Sequence, residues 1–263
     1  MSTTRVIDNA RFADLRRPAR RFAASILLGS ILMALAGPRV WAETPCTIPA
    51  AMALHDIALP ASRREVETEH RLTVLTFGGV RPAGVDAPTH EATYPARLQA
   101  ALSAALPEVQ VTVANEVPPG RTSADVPAAL PGLIAKTGAR LVIWGPGGRD
   151  VAARLEVETF RAAVNGGIEA VRRGGADLIL LDTTFVPSPS RMVLIEPYRD
   201  RLLEVAVANR VPILRRHGLM RLWSGDGTLN LAARDPAERE AVVRHLFSCV
   251  AQGLAGAIAT AVR

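Results

Sequence analysis

Five short apolar runs, each bounded by turn-forming or polar residues, punctuate the chain: RLTVLTF from Arg71, VQVTVA from Val109, LVIW from Leu141, ADLILL from Ala176, and Val211 to Leu214. In the first, Leu72, Val74, Leu75 and Phe77 do not alternate strictly with polar residues. That pattern suits a strand buried on both faces, as in a parallel sheet. Helical segments fall between the runs. Thr93 is placed to cap a helix opening with Tyr94-Pro95 and running to about Leu106, since a threonine oxygen accepts from the first free amides and proline suits the first turn. Ala124 to Thr137 reads as a helix shortened or interrupted at Pro127 and Pro131. Glu156 to Arg173 carries Phe160, Val164, Ile168 and Val171 on one face, with Gly166-Gly167 either weakening it or allowing close packing. Further helices are expected at about Met192 to Asn209, His217 to Trp223 and Pro236 to Val262. The charged string SRREVETEHR places Thr47 to Arg71 in an irregular surface segment. Apolar strands alternating with helices predict a three-layer α/β domain with a mostly parallel five-stranded sheet.

Open parallel sheets gather ligands at the carboxyl ends of their strands. For the first strand that end is the turn Gly78-Gly79-Val80, and the chemistry is expected there. The run LVIW ends similarly in the glycine-rich turn GPGGRD.

The net charge of +6 adds less than it suggests. Residues 1–42 hold seven arginines against Asp8 and Asp14, whereas the remainder holds 24 basic and 23 acidic residues. A body so nearly balanced has no basic stripe to hold a phosphate backbone, so nucleic acid is not an expected partner. The leader itself resembles an export signal. Arg16, Arg17, Arg20 and Arg21 precede the apolar stretch AASILLGSILMALA, and Val40-Trp41-Ala42 offers small residues around a cleavage point after Ala42. An uncleaved signal anchor is the alternative, and it is the only membrane contact expected. The expected organisation is a signal segment at 1–42, an irregular segment at 43–70 and one domain at 71–263. Beyond the leader the chain has two cysteines, Cys46 and Cys249. In an oxidising compartment they are candidates for one disulfide tying the mature N-terminus to the last helix; neither has the spacing of a metal site.

No P-loop, zinc-ligand cluster or EF-hand is present. Gly145-Pro146-Gly147-Gly148 is an incomplete dinucleotide fingerprint, and no Gly-x-Ser-x-Gly elbow occurs. No cofactor and no metal are expected.

The string GGVRPAGVDAPTHEATYPARLQAAL resembles the first block of the SGNH (GDSL-like) hydrolases, in an exported bacterial branch whose Gly-Ser-Ser-Ser turn precedes a Thr-Tyr-Pro-Ala-Arg-Leu helix start. The likeness continues in order through VTVANEVPPG, LVIWGPGGRD, FRAAVNGGIEAVRRGGADLILLD, VPILRRHGLMRLW and SCVAQGLAGAI. It implies a three-layer α/β/α flavodoxin-like fold and hydrolysis of esters, often acyl or acetyl groups on carbohydrates or lipids. The family's four blocks supply a nucleophilic serine, a glycine, an asparagine and a histidine. The histidine serves as base to the serine, and the serine amide, glycine amide and asparagine form the oxyanion hole.

Carried over residue by residue, those roles are largely empty. The Gly-x-Ser turn falls on Gly78-Gly79-Val80, so Val80 stands at the nucleophile position. Gly120 matches the glycine. Gly-x-Asn falls on Gly147-Gly148-Arg149, so Arg149 replaces the asparagine. The Asp-x-x-His block corresponds to Ala232 to Val243, which contains no histidine; none of His55, His70, His90, His217 and His245 follows an aspartate by three residues. No catalytic residue is therefore assigned, and Gly79, Val80, Gly120 and Arg149 are the candidate oxyanion-like or ligand-binding residues. The resemblance implies that Val80, Gly120 and Arg149 converge at the ends of neighbouring strands, with backbones within roughly 10–15 Å. Arg149 offers a fork-shaped donor for carboxylate, sulfate or phosphate; its competing assignment is a salt bridge with Asp150 or Asp182.

The expectation is an exported, catalytically inactive SGNH-like protein that acts as a binding or accessory protein in the periplasm or cell envelope. Its partner would be a small anionic or carbohydrate ligand, or an envelope protein. Two alternatives stand beside it. One is an active esterase using a displaced constellation, such as Asp182 with His217 or His245. The other is a structural protein whose cleft is plugged by Val80, Phe77 and Trp144.

Overall fold

The structure, a computed structural model, describes residues 46–77, 93–116 and 121–263. The five apolar runs form five strands: β1 (Arg71–Phe77), β2 (Gln110–Asn115), β3 (Leu141–Trp144), β4 (Asp177–Leu181) and β5 (Ile213–Leu214). All pair in parallel in the order β2-β1-β3-β4-β5. That is the flavodoxin-like doubly wound order, whose direction of winding reverses between β1 and β3 and opens a crevice there. Phe77 and Trp144 are register partners at that point, the last residues of their strands.

Both faces of the sheet are covered, as the unbroken apolar runs require. Leu72, Val74, Leu141, Ile143, Ile179 and Leu181 face one core. Against them lie α1 (Pro60–Glu69), α2 (Tyr94–Ala105), α7 (Arg216–Gly225) and α8 (Pro236–Val262). Leu75, Phe77, Val142, Trp144, Leu178 and Leu180 face the other core, against α3 (Val126–Thr137), α5 (Val157–Arg173) and α6 (Pro189–Ala208). A short helix, α4 (Gly148–Ala152), follows β3 directly. The described residues belong to one unit, Glu43–Arg263.

The Thr93 side chain does accept from the Ala96 amide at the start of α2. Pro131 sits inside α3 without ending it, after a 3-10 turn at Ser123–Asp125. Pro197 likewise lies inside α6, which begins at Pro189, ahead of the expected start. The glycines of α5 serve close packing: a Cβ on Gly167 would stand 2.5 and 2.7 Å from carbons of the Trp144 ring. Only a residue without one lets that helix lie on β3.

One expectation is corrected. The segment at 43–70 is not irregular throughout, because Pro60–Glu69 is helical. Its charge run hides two buried polar anchors. The Glu65 carboxylate accepts from the Thr73 amide (2.9 Å), the Thr73 hydroxyl (2.8 Å) and Arg71 Nε (2.9 Å). Ser62 gives both its amide (2.8 Å) and its hydroxyl (2.7 Å) to Asp177. Residues that read as solvated surface are the latch of α1 to the amino ends of β1 and β4.

The cysteines Cys46 and Cys249 are joined in a disulfide, with Cα atoms 5.4 Å apart. It ties the first described residue to the middle of α8. A loop of 203 residues is long, and the chain-entropy treatment puts such a link at about 5 kcal/mol as an upper figure.

Candidate functional site

The carboxyl ends of β1, β3 and β4 open into a cleft of about 1050 Å³. Phe77 and Trp144 lie at its base; both are buried. Gly79, Val80 and Gly120 lie outside the described residues, as do the leader and His90. The described residues that flank those turns, Phe77 and Arg121, line the same cleft as Arg149. The flanks of all three turns therefore border one space.

What holds two of these turns together was not visible in the motifs. Asp150, 1% exposed, accepts from the Ser123 amide (2.6 Å), the Ser123 hydroxyl (2.8 Å) and the Gly147 amide (2.8 Å). One buried carboxylate thus clamps the segment after Gly120 to the turn after β3. Gly147 must be glycine twice over. Its φ is +107°, which side-chain-bearing residues avoid, and a Cβ there would stand 2.8 Å from Thr183 Cγ2.

Asp150 being consumed, Arg149 has no salt bridge with it. Asp182 is not the partner either: its carboxylate accepts from the Thr183 amide (2.7 Å) and hydroxyl and from Arg199 Nε (3.1 Å). Arg149 instead lies exposed at the cleft, free of any hydrogen bond or ion pair among the described residues. Arg121, Arg154 and Arg191 share that condition. Arg216 and Arg239 also line the cleft, and Asp150 is the one acidic residue among its described lining. Arg216 is buried, with Nε donating to the Asp182 carbonyl at 2.8 Å. Burial lowers its pKa to about 10, against the opposing pull of Asp182 and Tyr94, so it stays a cation at neutral pH. Burial also pushes the Tyr94 phenol up, and its hydroxyl lacks a hydrogen-bond partner among the described residues. Much of the remaining wall is apolar, with Phe185, Met192, Leu194, Ile195, Leu231 and Val242.

Among the described residues, hydrolytic groups are missing from this setting. The cleft's described lining contains no histidine, and its one serine, Ser123, is committed to Asp150. His217 is buried edge-on to Phe185, its pKa lowered mainly by burial although Asp182 pulls the other way. His245 lies on α8 against Cys46 and does not line the cleft. Among the described residues no serine hydroxyl bonds a histidine, so the geometry offers cationic and backbone donors but no nucleophile–base pair.

A family description, the Non-GDSL lipase-like family, matches residues 45–263, and the chain belongs to that family. Its fold is that of the SGNH/GDSL esterases and lipases. The lipase/acylhydrolase from Enterococcus faecalis superposes with a TM-score of 0.54 at 18% identity, over 70% of this chain and 96% of that one. LAE5, an alpha/beta hydrolase enzyme from the metagenome of Lake Arreo, gives 0.53 at 19% identity, over 73% and 96%. The psychrotrophic esterase EstA from Pseudoalteromonas sp. gives 0.51 at 12% identity, over 68% and 96%. At these identities the likeness is one of fold. No curated protein matches the chain by sequence.

Proposed function

We propose that this chain is an exported SGNH-fold protein that binds and does not hydrolyse, serving as a binding or accessory protein of the cell envelope. Its cleft takes the anionic group of a small or carbohydrate ligand. The observation that carries the reading is an imbalance: Arg121, Arg149, Arg154 and Arg191 stand unpaired among the described residues around a cleft whose one described acid is already bonded three times over. Unpaired guanidinium groups on a partly apolar wall are suited to carboxylate, phosphate or sulfate, which they bind through paired, charge-assisted hydrogen bonds. The space also argues against a plugged, purely structural cleft.

Hydrolysis lacks its agents. Val80 at the nucleophile position has no atom that can attack a carbonyl, and Arg149 at the asparagine position brings a charge in place of a neutral donor. Losing the nucleophile and base of a serine hydrolase costs several orders of magnitude in rate. The test is a hydrolysis assay on short acyl esters and acetylated sugars, with a Val80→Ser plus Arg149→Asn variant alongside. Wild type is expected at the uncatalysed rate. Turnover at an ordinary enzymic rate that is abolished by mutating the cleft overturns the proposal. Export is tested by N-terminal sequencing of protein from the native host, which is expected to begin at or near Glu43; arginines still attached in membrane fractions would mark an anchor instead.

A further inference from the structure

A second group of reactive side chains lies away from the cleft. His245 precedes Cys249 by four residues on α8, so both side chains leave the same helix face. Cys46 reaches that face from the start of the described chain. His245 Nε2 is 3.4 Å from Cys46 Sγ, and the ligand atoms of Cys46, His245 and Cys249 all lie within 4.8 Å of one another. Cys249 is buried, whereas Cys46 and His245 are half-buried.

The disulfide uses two of these three groups. The imidazole nitrogen aimed at its sulfur has no part in that bond. With the disulfide opened, the same residues become two thiols and an imidazole, the soft donor set preferred by Zn²⁺. The size is right: zinc–sulfur bonds of about 2.3 Å and zinc–nitrogen bonds of about 2.0–2.1 Å in a tetrahedron separate the donors by roughly 3.5–3.8 Å. That spacing falls inside the present limit, so side-chain rotation of the two cysteines suffices and no backbone need move far.

We propose that Cys46, His245 and Cys249 form a three-ligand Zn²⁺ site in the reduced chain. The N-terminal segment is then held to α8 by a disulfide under oxidising conditions and by a metal under reducing ones. The conversion balances. A phosphine reductant breaks the Sγ–Sγ bond and takes oxygen from water to leave as phosphine oxide, and the two water protons go to the sulfurs. Zn²⁺ then displaces both thiol protons to solvent, His245 contributes the Nε2 lone pair, and a water fills the fourth position. The site is independent of the cleft, and its test does not depend on whether the cleft binds or hydrolyses anything.

The experiment titrates the full chain, phosphine-reduced and kept anaerobic, with Zn²⁺ against a chromophoric chelator, and with Co²⁺ to read coordination. Reduced wild type is expected to take up one Zn²⁺ per chain, to show a sulfur-to-cobalt charge-transfer band, and to gain thermal stability on adding Zn²⁺. The oxidised chain is expected to do none of these. Outer-shell partners of zinc ligands cost about 10–100-fold in affinity when removed, so His245→Ala, which removes a ligand, should cost at least that. His245 is half-exposed, and His245→Gln provides a second variant if the alanine fails to fold. Zn²⁺ uptake by the reduced chain that equals that of the oxidised chain overturns the proposal. So does uptake unchanged by both His245 substitutions.

Discussion

The two ends of the sheet are built on opposite electrostatic plans. At the amino ends of β1 and β4 the acids are matched group by group: buried Glu65 by Thr73 and Arg71, half-buried Asp177 by Ser62 and the Ala61 amide. At the carboxyl ends the acids are matched too, Asp150 by Ser123 and Gly147 and Asp182 by Thr183 and Arg199. There, however, Arg121, Arg149, Arg154 and Arg191, exposed and without a partner among the described residues, converge on one cleft. A buried acid left unsatisfied is costly, so both ends obey that constraint. An exposed arginine without a partner costs the fold little and adds little to it. The convergence of these arginines on one cleft therefore has no explanation in stability, and it sits where a doubly wound sheet presents ligands.

The largest effect expected is at the amino ends. Asp177→Ala removes the acceptor of the Ser62 hydroxyl and amide, and Glu65→Ala strips Thr73 in the same way. Each should cost about 2–4 kcal/mol, since a buried donor losing a charged acceptor costs more than an ordinary hydrogen bond. Denaturant unfolding would measure it, and a loss below about 1 kcal/mol would break the claim that this end is held by matched pairs.

Asp150→Ala should come next, at about 2–3 kcal/mol, because three short hydrogen bonds go at once. It should also change the cleft, as the two clamped turns separate. Hydrogen exchange is expected to speed up at Ser123 and Gly147 while the amides of β4 stay protected.

The arginines should behave in reverse. Arg149→Ala, Arg154→Ala and Arg191→Ala combined should leave stability within about 0.5 kcal/mol per site, as befits exposed residues without partners. Binding of 1-anilinonaphthalene-8-sulfonate, an anion with an apolar body, should nonetheless weaken by at least about tenfold through loss of charge-assisted hydrogen bonds, and wild-type binding should fall with added salt. Equal binding by the triple variant would erase the contrast between the two ends.

The smallest effect concerns His217. Burial lowers its pKa below the ordinary 6.5, with Arg199 and Arg221 adding to the shift and Asp182 and Glu196 opposing it. The folded state therefore binds fewer protons than the unfolded state between the two values. Its contribution is fully present above the ordinary value and is lost as pH falls through 6.5 towards the folded value. His217→Phe should flatten the wild-type stability–pH curve in that window. An unchanged slope would show that His217 is not the group titrating there.

How much was legible in the chain differs by element. The strands were, because a core on both faces demands unbroken apolar runs such as LVIW and DLILL. The terminal helix was, from Pro236 to Val262, because it has a capping aspartate and no proline beyond its first turn. Helix α1 was not. A helix whose buried positions are Ser62 and Glu65 has no apolar stripe to announce it, and its anchors lie at Asp177, 115 residues from Ser62, and at Thr73. The Gly166-Gly167 pair was open to two readings until the Trp144 ring was found against Gly167.

The candidate site divides in the same way. From the chain alone came the expectation that valine and arginine stand where the family's blocks would place serine and asparagine, since side-chain identity is a covalent fact. The chain also determined the order of the five strands and of the longer helices that follow β1, because burial and backbone hydrogen bonding act through local periodicity. Only the tertiary structure decided which charges meet. Asp150 adjoins Arg149 in sequence yet turns away to Ser123 and Gly147, because a buried carboxylate is satisfied by whatever donors the fold brings to it. Arg121, Arg154 and Arg191 come from separate segments and reach one cleft only because parallel strands end on the same side. Likewise His245 and Cys46, 199 residues apart, become neighbours only when α8 packs across the sheet. Long-range pairing of polar groups depends on three-dimensional placement, and no spacing along the chain encodes it.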